Sequence, residues 1–585
     1  MYIHQYETTI GAAPSPPSSS LRWQDCQNRV KKKNAEKKSR VAVVGSGLAG
    51  LMAARWLGQS GFDVTVFEAR NQVGGRVLSN TTFSKGRITE EGAELIGSFH
   101  TTWLGLAREY GLAMISRMDP DLYERAGLRM KLRLGTDRDL SMDAICQLGK
   151  AMDVVLERIA RHASQIRDPS QPWLDFTLKG YDNMSVADAL EKIYQVKRDD
   201  LLWKALQFQL VNDEVAPLDE MNFLGLLCKV KGGQSGQFCD DDDQGRARLM
   251  RYWDELEIFR CADGCQTLAR KLADDIKTKY GAKLLLSTAV TNIDIHTKKC
   301  AYKGTQTQGR DLNKPCVVLG AKQVNPNGKL ANTQPTFTLY DYVILAIPPS
   351  VWKDVTITVD GKSTQPPVMG MGPAVKFFSD VKERFWIKKG DAPCGGSLTL
   401  GQVWEGTDNQ TRVVPEKVPN PRGGLLDAKQ GIVLSVFAGP IIPRDPLKPR
   451  GPGRAPTQSE MREMQSELEQ LYPGYTSNLN KTLFKDWPAE PFIKTGYASP
   501  RLGQIFTVGK KLNEPFHDLL FFAGEHTRMD FFGYMEGALR SGKDAAMKLM
   551  LQSCDLLKTP VPASSGPQVL TASAAPIREK TASKQ

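Results

Sequence analysis

The spacing Gly45-x-Gly47-x-x-Gly50, inside VAVVGSGLAG, could hold a pyrophosphate. The first glycine permits a tight turn, the second lets backbone approach the anion, and the third lets a helix pack on a strand. The context suits that chemistry. Val41–Val44 is β-branched apart from Ala42, LMAARWLGQSG carries apolar residues at helical spacing, and DVTVFEAR is a second strand ending at Glu68. Lying about 20 residues beyond the glycines, the Glu68 carboxylate could accept hydrogen bonds from an adenosine ribose diol. Its charge would repel a 2′-phosphate, which argues against NADP and leaves NAD and FAD open. A βαβ unit without ligand is the bland alternative. Near the other end, DLLFFAGEHTRMDFFGYMEGALRSGK reads as a buried strand, a glycine loop and a helix from about Tyr534. That second helix N-terminus suits an anionic or electron-rich group. A nicotinamide dehydrogenase would not need it, and one ligand touching both ends must be long, as FAD is.

These elements belong to a chain of 585 residues, too long for one core, so two or three domains are expected. Pro/Ser-rich and lysine-rich text before residue 40, and Ala/Ser/Thr/Pro-rich text after 554, read as disordered tails. The first 40 residues hold eight Lys/Arg against three acids and the last 31 hold four against two, so +7 of the net +12 is tail. No nucleic-acid surface is needed to explain the charge. No apolar run is long enough to span a membrane, and no apolar signal segment opens the chain. The ten cysteines have no CxxC pair or framework spacing, which fits buried thiols in a reducing compartment; a cytoplasmic location is the expectation. Six histidines, none paired at i, i+4, argue against a zinc site, and no metal is expected. The absence of GxSxG removes most support for a hydrolase.

Between the two glycine motifs, Ile145 to Ile166 has helical periodicity, and helix-like text continues to about Lys229. DDDDQGR, from Asp240, reads as an exposed loop. KLLLSTAVTNIDIH and FTLYDYVILAIPP are β-like, and about 300–335 between them reads as a loop or hairpin insertion. Two Pro-rich basic excursions follow, VPEKVPNPRGG and RDPLKPRGPGRAP.

VVGSGLAGL…VFEARNQVGGRV, AIPP, AVKFF and FFAGEHT…GYMEGALRSG together resemble the flavin-containing amine oxidase superfamily, from about residue 39 to 550. GAELIGSFHTTWLGLAREYGL and YWDELEIFRCADGCQTLARKLA are most similar to the bacterial L-amino-acid oxidase branch. The resemblance implies an α/β (α+β) fold: a Rossmann-like FAD-binding domain assembled from discontinuous segments, with a mixed-sheet substrate domain and a helical lobe. The expected segments are 39–110, 256–300 and 481–552 for FAD, 111–255 for the helical lobe, and 301–480 for the mixed sheet with its Pro-rich insertions. Tails 1–38 and 553–585 flank them. The implied reaction is oxidative deamination of an L-amino acid, of the basic type if the branch holds, by hydride transfer to flavin N5, giving keto acid, ammonia and hydrogen peroxide. A monoamine or polyamine oxidase is the alternative, and a flavin monooxygenase a further one. Expected partners are the small-molecule substrate and O2, with a homodimer left open.

Carried over by position, Gly45, Gly47 and Gly50 would contact the pyrophosphate, Glu68 the ribose, Gly75 and Arg76 the phosphates or flavin edge, and Val290 the adenine. Glu525 would bind the ribityl-phosphate part, and Met535 would present its backbone N–H to the flavin carbonyl. Lys376 matches the lysine placed near N5 through a water, where a cation favours electron transfer to O2. Tyr497 and Tyr534 match two parallel aromatic rings flanking the substrate, and Trp487 lines the same cavity. A substrate carboxylate calls for an arginine, but Leu95 stands where venom-type enzymes carry one. Glu94 beside it could attract a cationic group or cap a helix. Where monoamine oxidases tether flavin through cysteine, the chain has Gly496, so FAD should be held noncovalently.

Overall fold

The computed structural model describes residues 19–84, 86–116, 127–135, 139–234, 242–300, 312–408, 410, 431–438 and 458–554. Arg40–Val44 pairs in parallel with Tyr342–Leu345 on one side and Asp63–Phe67 on the other. Leu520–Phe522 and Lys283–Leu285 complete this five-stranded sheet. Val41, Val43, Val64 and Val66 are buried, as a parallel sheet covered on both faces requires. The helix after the glycine turn, Leu48–Gln59, packs against the last helix, Met535–Ser553. A Cβ on Gly542 would come within 2.1 Å of the Ala49 carbonyl oxygen, so the two helices meet backbone to backbone. A single sheet thus gathers strands from widely separated stretches, as expected of a discontinuous nucleotide-binding domain.

Three segment boundaries need correction. Arg129–Arg133, within 111–255, and Leu479–Asp486, most of it within 481–552, are strands of the mixed sheet and not of the helical lobe or the FAD domain. Tyr342–Leu345 lies within 301–480, the stretch assigned to the substrate domain, yet it is the direct neighbour of the first strand. FTLYDYVILAIPP is not one strand. Asp341 bonds to the backbone of Arg40 and divides it, so Thr336–Tyr340 serves a second sheet and Tyr342–Leu345 the first. That second sheet also contains Cys316–Gln323, a largely buried strand inside the stretch read as a loop insertion.

The third sheet is six-stranded and mixed, in the order Leu479–Asp486, Val375–Val381, Ile432–Ala438, Gly401–Glu405, Asp391–Ser397, Arg129–Arg133. Its last pair is parallel and the rest antiparallel. The helical lobe is built on Met142–Ser164, capped by Ser141, with Leu201–Glu214 and Phe223–Gly233, the latter capped by Asn222. DDDDQGR is not a loop throughout, since a helix spans Asp242–Glu255. Both Pro-rich excursions lie outside the described residues.

The N-terminal tail is also corrected. Ser19–Glu36 is a helix whose Cys26, Val30 and Asn34, four residues apart, form a buried stripe. Lys33 donates to the Ser553 carbonyl, Asn34 to that of Ser60, and Cys26 is disulfide-bonded to Cys554. Cys300 and Cys316 form a second disulfide. The expectation of thiols throughout is overturned at these four residues, and with it the cysteine argument for a reducing compartment. Among the described residues no helix is long and apolar enough to cross a membrane.

Candidate active site

A cavity of about 540 Å³ runs along the edges of the first and third sheets. Gly45, at its start, has φ +103°, and a Cβ there would meet the Ala346 carbonyl oxygen at 2.8 Å. A Cβ on Gly47 would meet nothing within 4 Å, because Gly47 faces the open cavity at the N-terminus of Leu48–Gln59. The first N–H groups of that helix have no intrahelical acceptor and suit an anion. Gly50 does not line the cavity. A Cβ there would lie 1.9 Å from the Gly45 carbonyl oxygen, so this glycine permits helix–strand packing and stands off the wall where a pyrophosphate contact was expected by position. Glu68 lines the cavity with its carboxylate fixed from the protein side: Ser46 donates N–H and hydroxyl to Oε2, and Arg70 its N–H to Oε1. Thr288 N–H donates to the Glu68 carbonyl, which brings Val290, two residues on, to the same wall.

In mid-cavity, Arg76 donates to Glu525 Oε1 at 2.7 Å and to the Gly496 carbonyl at 3.0 Å. Glu525 also accepts from the N–H groups of Ala498 and Gly533. Burial would raise its pKa, but Arg76 and the Gly533 N–H hold it below the usual value. Glu525 is therefore a clamp joining three chain segments where the glycine loop and Gly75 meet, and Met535 opens the last helix into the same space.

Beyond the clamp the wall is made of side chains. Lys376, Phe437 and Gln402 stand opposite one another on three adjacent strands and all face the cavity. Lys376 donates to the carbonyls of Glu90 and Gly92 and to Glu94 Oε2 at 2.7 Å, so its three ammonium protons all have protein acceptors. Glu94 also binds Arg260, which reaches Asp408, and accepts from Trp404. Burial pushes the Glu94 carboxyl up, yet Lys376 and Arg260 bring it down to about 2. Glu94 is thus a fixed anion holding Lys376; it neither caps a helix nor waits for a substrate cation. Tyr497 stacks parallel to Phe437, with centroids 6.5 Å apart and planes 7° apart, and donates to the carbonyls of Asn212 and Asp213. The hydroxyl of Tyr534 bonds to that of Tyr252 at 2.9 Å. Burial holds both cavity tyrosines well above their ordinary pKa, as neutral hydroxyls. Trp487 lines the wall with its indole N–H on the Glu91 carbonyl.

With this geometry in place, the comparison that decides the family is a model described as flavin containing amine oxidoreductase, which matches residues 48–550. The chain belongs to that family. A flavin-containing amine oxidase of Danio rerio is 25% identical over 530 residues, covering 87% of this chain and 85% of that protein. A lysine-specific histone demethylase 1 homolog of rice (Oryza sativa subsp. japonica) is also 25% identical, covering 87% of this chain and 57% of that protein. Among solved structures, putrescine oxidase bound to putrescine superposes with TM-score 0.62 at 18% identity, covering 88% of this chain and 99% of that one. Cyclohexylamine oxidase from Brevibacterium oxydans gives TM-score 0.61 at 18% identity, over 88% and 99%.

As a flavin amine oxidoreductase the protein uses FAD, and the cavity fits it: a side-chain-free cradle at Gly45, Gly47 and Gly75, a helix N-terminus on each side, and Glu68 beside them. Of the residues singled out from sequence, only Gly50 lies off the cavity wall. Sequence reading missed Asn212, Asp213, Glu257, Gln402, Phe437 and the Arg260–Asp408 pair. One signal was available. Asp213 and Glu214 end the helix Leu201–Glu214 with no basic residue in its last turn, where the helix dipole disfavours acids. Such a placement points to a duty other than helix stability.

Proposed function

We propose that the protein oxidises a primary amine lacking an α-carboxylate, using noncovalently held FAD, with O2 as final oxidant. Bound FAD would supply the hydride acceptor and pass the electrons to O2 as hydrogen peroxide. The substrate carbon loses a hydride, and the resulting imine is hydrolysed to an aldehyde and ammonia. Tyr497 and Tyr534 on the wall would flank the substrate and exclude water, and Tyr497 is kept in place by its two carbonyl acceptors and by the parallel ring of Phe437 beside it. Lys376, fixed by Glu94, places a buried cation on the wall, in keeping with a part in the O2 step. Gly496 has no room for a side chain, since a Cβ would come within 2.5 Å of Ala374 Cβ; this favours noncovalent FAD.

The observation carrying this reading is the distribution of cations. Arg70, Arg76, Lys376 and Lys494 are the cations among the described lining residues, and each already donates to a protein acceptor. Leu95 lines the cavity where a carboxylate-binding arginine would be expected. The names of the relatives, amine oxidases, agree. A second reading, oxidation of a basic L-amino acid, is favoured by the acids Asp213 and Glu257 on the wall. Product analysis separates them. Aldehyde, ammonia and peroxide from alkylamines support the amine reading; keto acid from lysine or arginine, with alkylamines inert, overturns it. Oxygenated product without peroxide would instead mark a monooxygenase.

A further inference from the structure

Asn212 sits in the last turn of Leu201–Glu214 and lines the cavity at 1% exposure. Its Nδ2 donates to the Phe208 carbonyl at 2.6 Å, which fixes the amide's orientation. Its Oδ1 is a buried acceptor with no donor among the described residues. Such an atom is costly unless something supplies a proton. Asp213 and Glu257 line the same end of the cavity, and Gln402 Nε2 lies 3.5 Å from Asp213 Oδ1. Burial, then Glu257 and Glu214, push the Asp213 carboxyl well above its ordinary pKa. Lys229 is bonded to Glu214 at 2.6 Å and lies 4.6 Å from the centres of the Phe532 and Tyr534 rings.

We propose that Asn212 Oδ1 and Asp213 form a subsite for a terminal primary ammonium of the substrate, remote from the carbon that is oxidised. This rests on the amine-oxidase reading and deepens it. A primary ammonium carries three N–H donors, and the subsite offers the Asn212 Oδ1 acceptor beside the Asp213 carboxyl. The spacing also suits a chain with nitrogen at each end. From Lys376 to Gln402 the wall crosses two strand spacings, about 10 Å, and the ring of Phe437 lies along that path. The chemistry is that of an α,ω-diamine; lysine offers the same terminal ammonium with an added carboxylate.

Pentylamine, cadaverine and lysine share a five-carbon spacing and distinguish these sources. The holoenzyme should oxidise cadaverine with kcat/KM about 10- to 100-fold above pentylamine, the size of one charge-assisted hydrogen bond, and should favour cadaverine over lysine. In Asp213→Asn and Asn212→Ala, each checked for FAD content and an unchanged flavin spectrum, that cadaverine-to-pentylamine ratio should collapse toward one. Equal use of pentylamine and cadaverine by the unaltered enzyme would overturn the subsite, as would a ratio that survives both substitutions. A preference for lysine over both amines would keep the ammonium subsite and overturn the diamine. If no amine reduces the flavin, the amine-oxidase reading fails separately. The subsite then stands if cadaverine perturbs the oxidised flavin spectrum at lower concentration than pentylamine, and falls if it does not.

Discussion

At the end lined by Gly45, Gly47 and Gly75 the cavity wall is backbone, whereas at the end lined by Asn212, Asp213, Phe437 and Tyr497 it is side chain. The backbone wall comes from two glycine-rich stretches within 35 residues of each other, and the Glu68 carboxylate beside them is locked by Ser46 and the Arg70 N–H. The side-chain wall brings together a helix end, two strands of the mixed sheet and the short strand Tyr497–Ala498. The first half can therefore bind a constant cofactor, while the second can change its substrate with little disturbance to the first.

The sharpest way to test this division lies within the glycine motif. Gly50→Ala should prevent recovery of folded protein, because its Cβ would be 1.9 Å from a backbone oxygen that cannot turn aside. Gly47→Ala has open space and φ −67°, so its unfolding temperature without FAD should stay within about 2 °C, while FAD content drops sharply. Gly47→Ala binding FAD as tightly as the parent would remove the turn as the pyrophosphate seat.

Lys376→Met tests the joint between the halves. Breaking the buried pair with Glu94 should cost roughly 3–5 kcal/mol, toward the lower end because Arg260 still holds the carboxylate. In the folded fraction, stopped-flow mixing should find anaerobic flavin reduction largely retained and reoxidation by O2 slowed. The reverse pattern would take Lys376 out of the oxygen step.

Acid should weaken both halves. Burial lowers His526, beside Gly524, and His100, next to Tyr534, to about 4 from 6.5. Each histidine's contribution is whole above pH 6.5 and is lost as pH falls through 4, roughly 3 kcal/mol apiece at full titration. Glu90 runs the other way. Burial raises it to about 7, so its contribution is whole below pH 4.5 and is lost as pH rises through 7. The two histidines outweigh it, and the unfolding temperature should fall between pH 6.5 and 4. A flat profile there would mean that neither ring is held neutral.

The smallest effect on the cavity should come from Cys26→Ser, which releases the N-terminal helix from Cys554 at the far end of the last helix. Thermal unfolding without reductant should report a loss of about 2–5 kcal/mol, with turnover per bound flavin unchanged. An altered KM would show that the staple reaches the site.

What could be read from sequence follows the same division. The turn at Gly45, the carboxylate at Glu68, and the glycine loop before Met535 are local motifs whose chemistry is visible within a dozen residues. Lys376, Tyr497 and Tyr534 were reachable through resemblance, although their partners were not. Glu94 bonds to Arg260, 166 positions away, and Phe437 meets Tyr497 only through sheet register. The docked N-terminal helix was hidden because its buried stripe of Cys26, Val30 and Asn34 is interrupted by lysines that face outward. FTLYDYVILAIPP misled for a related reason, since a single aspartate divides two strands of equal β-propensity between two sheets.

The central claim is that one continuous cavity places a primary amine against FAD. Anaerobic titration of the purified yellow protein with a primary alkylamine or diamine tests it directly. Loss of the flavin's visible absorbance, restored on admitting air with release of hydrogen peroxide and aldehyde, is the expected result. Flavin that stays oxidised with every amine offered, in protein that retains its full FAD content, would contradict it.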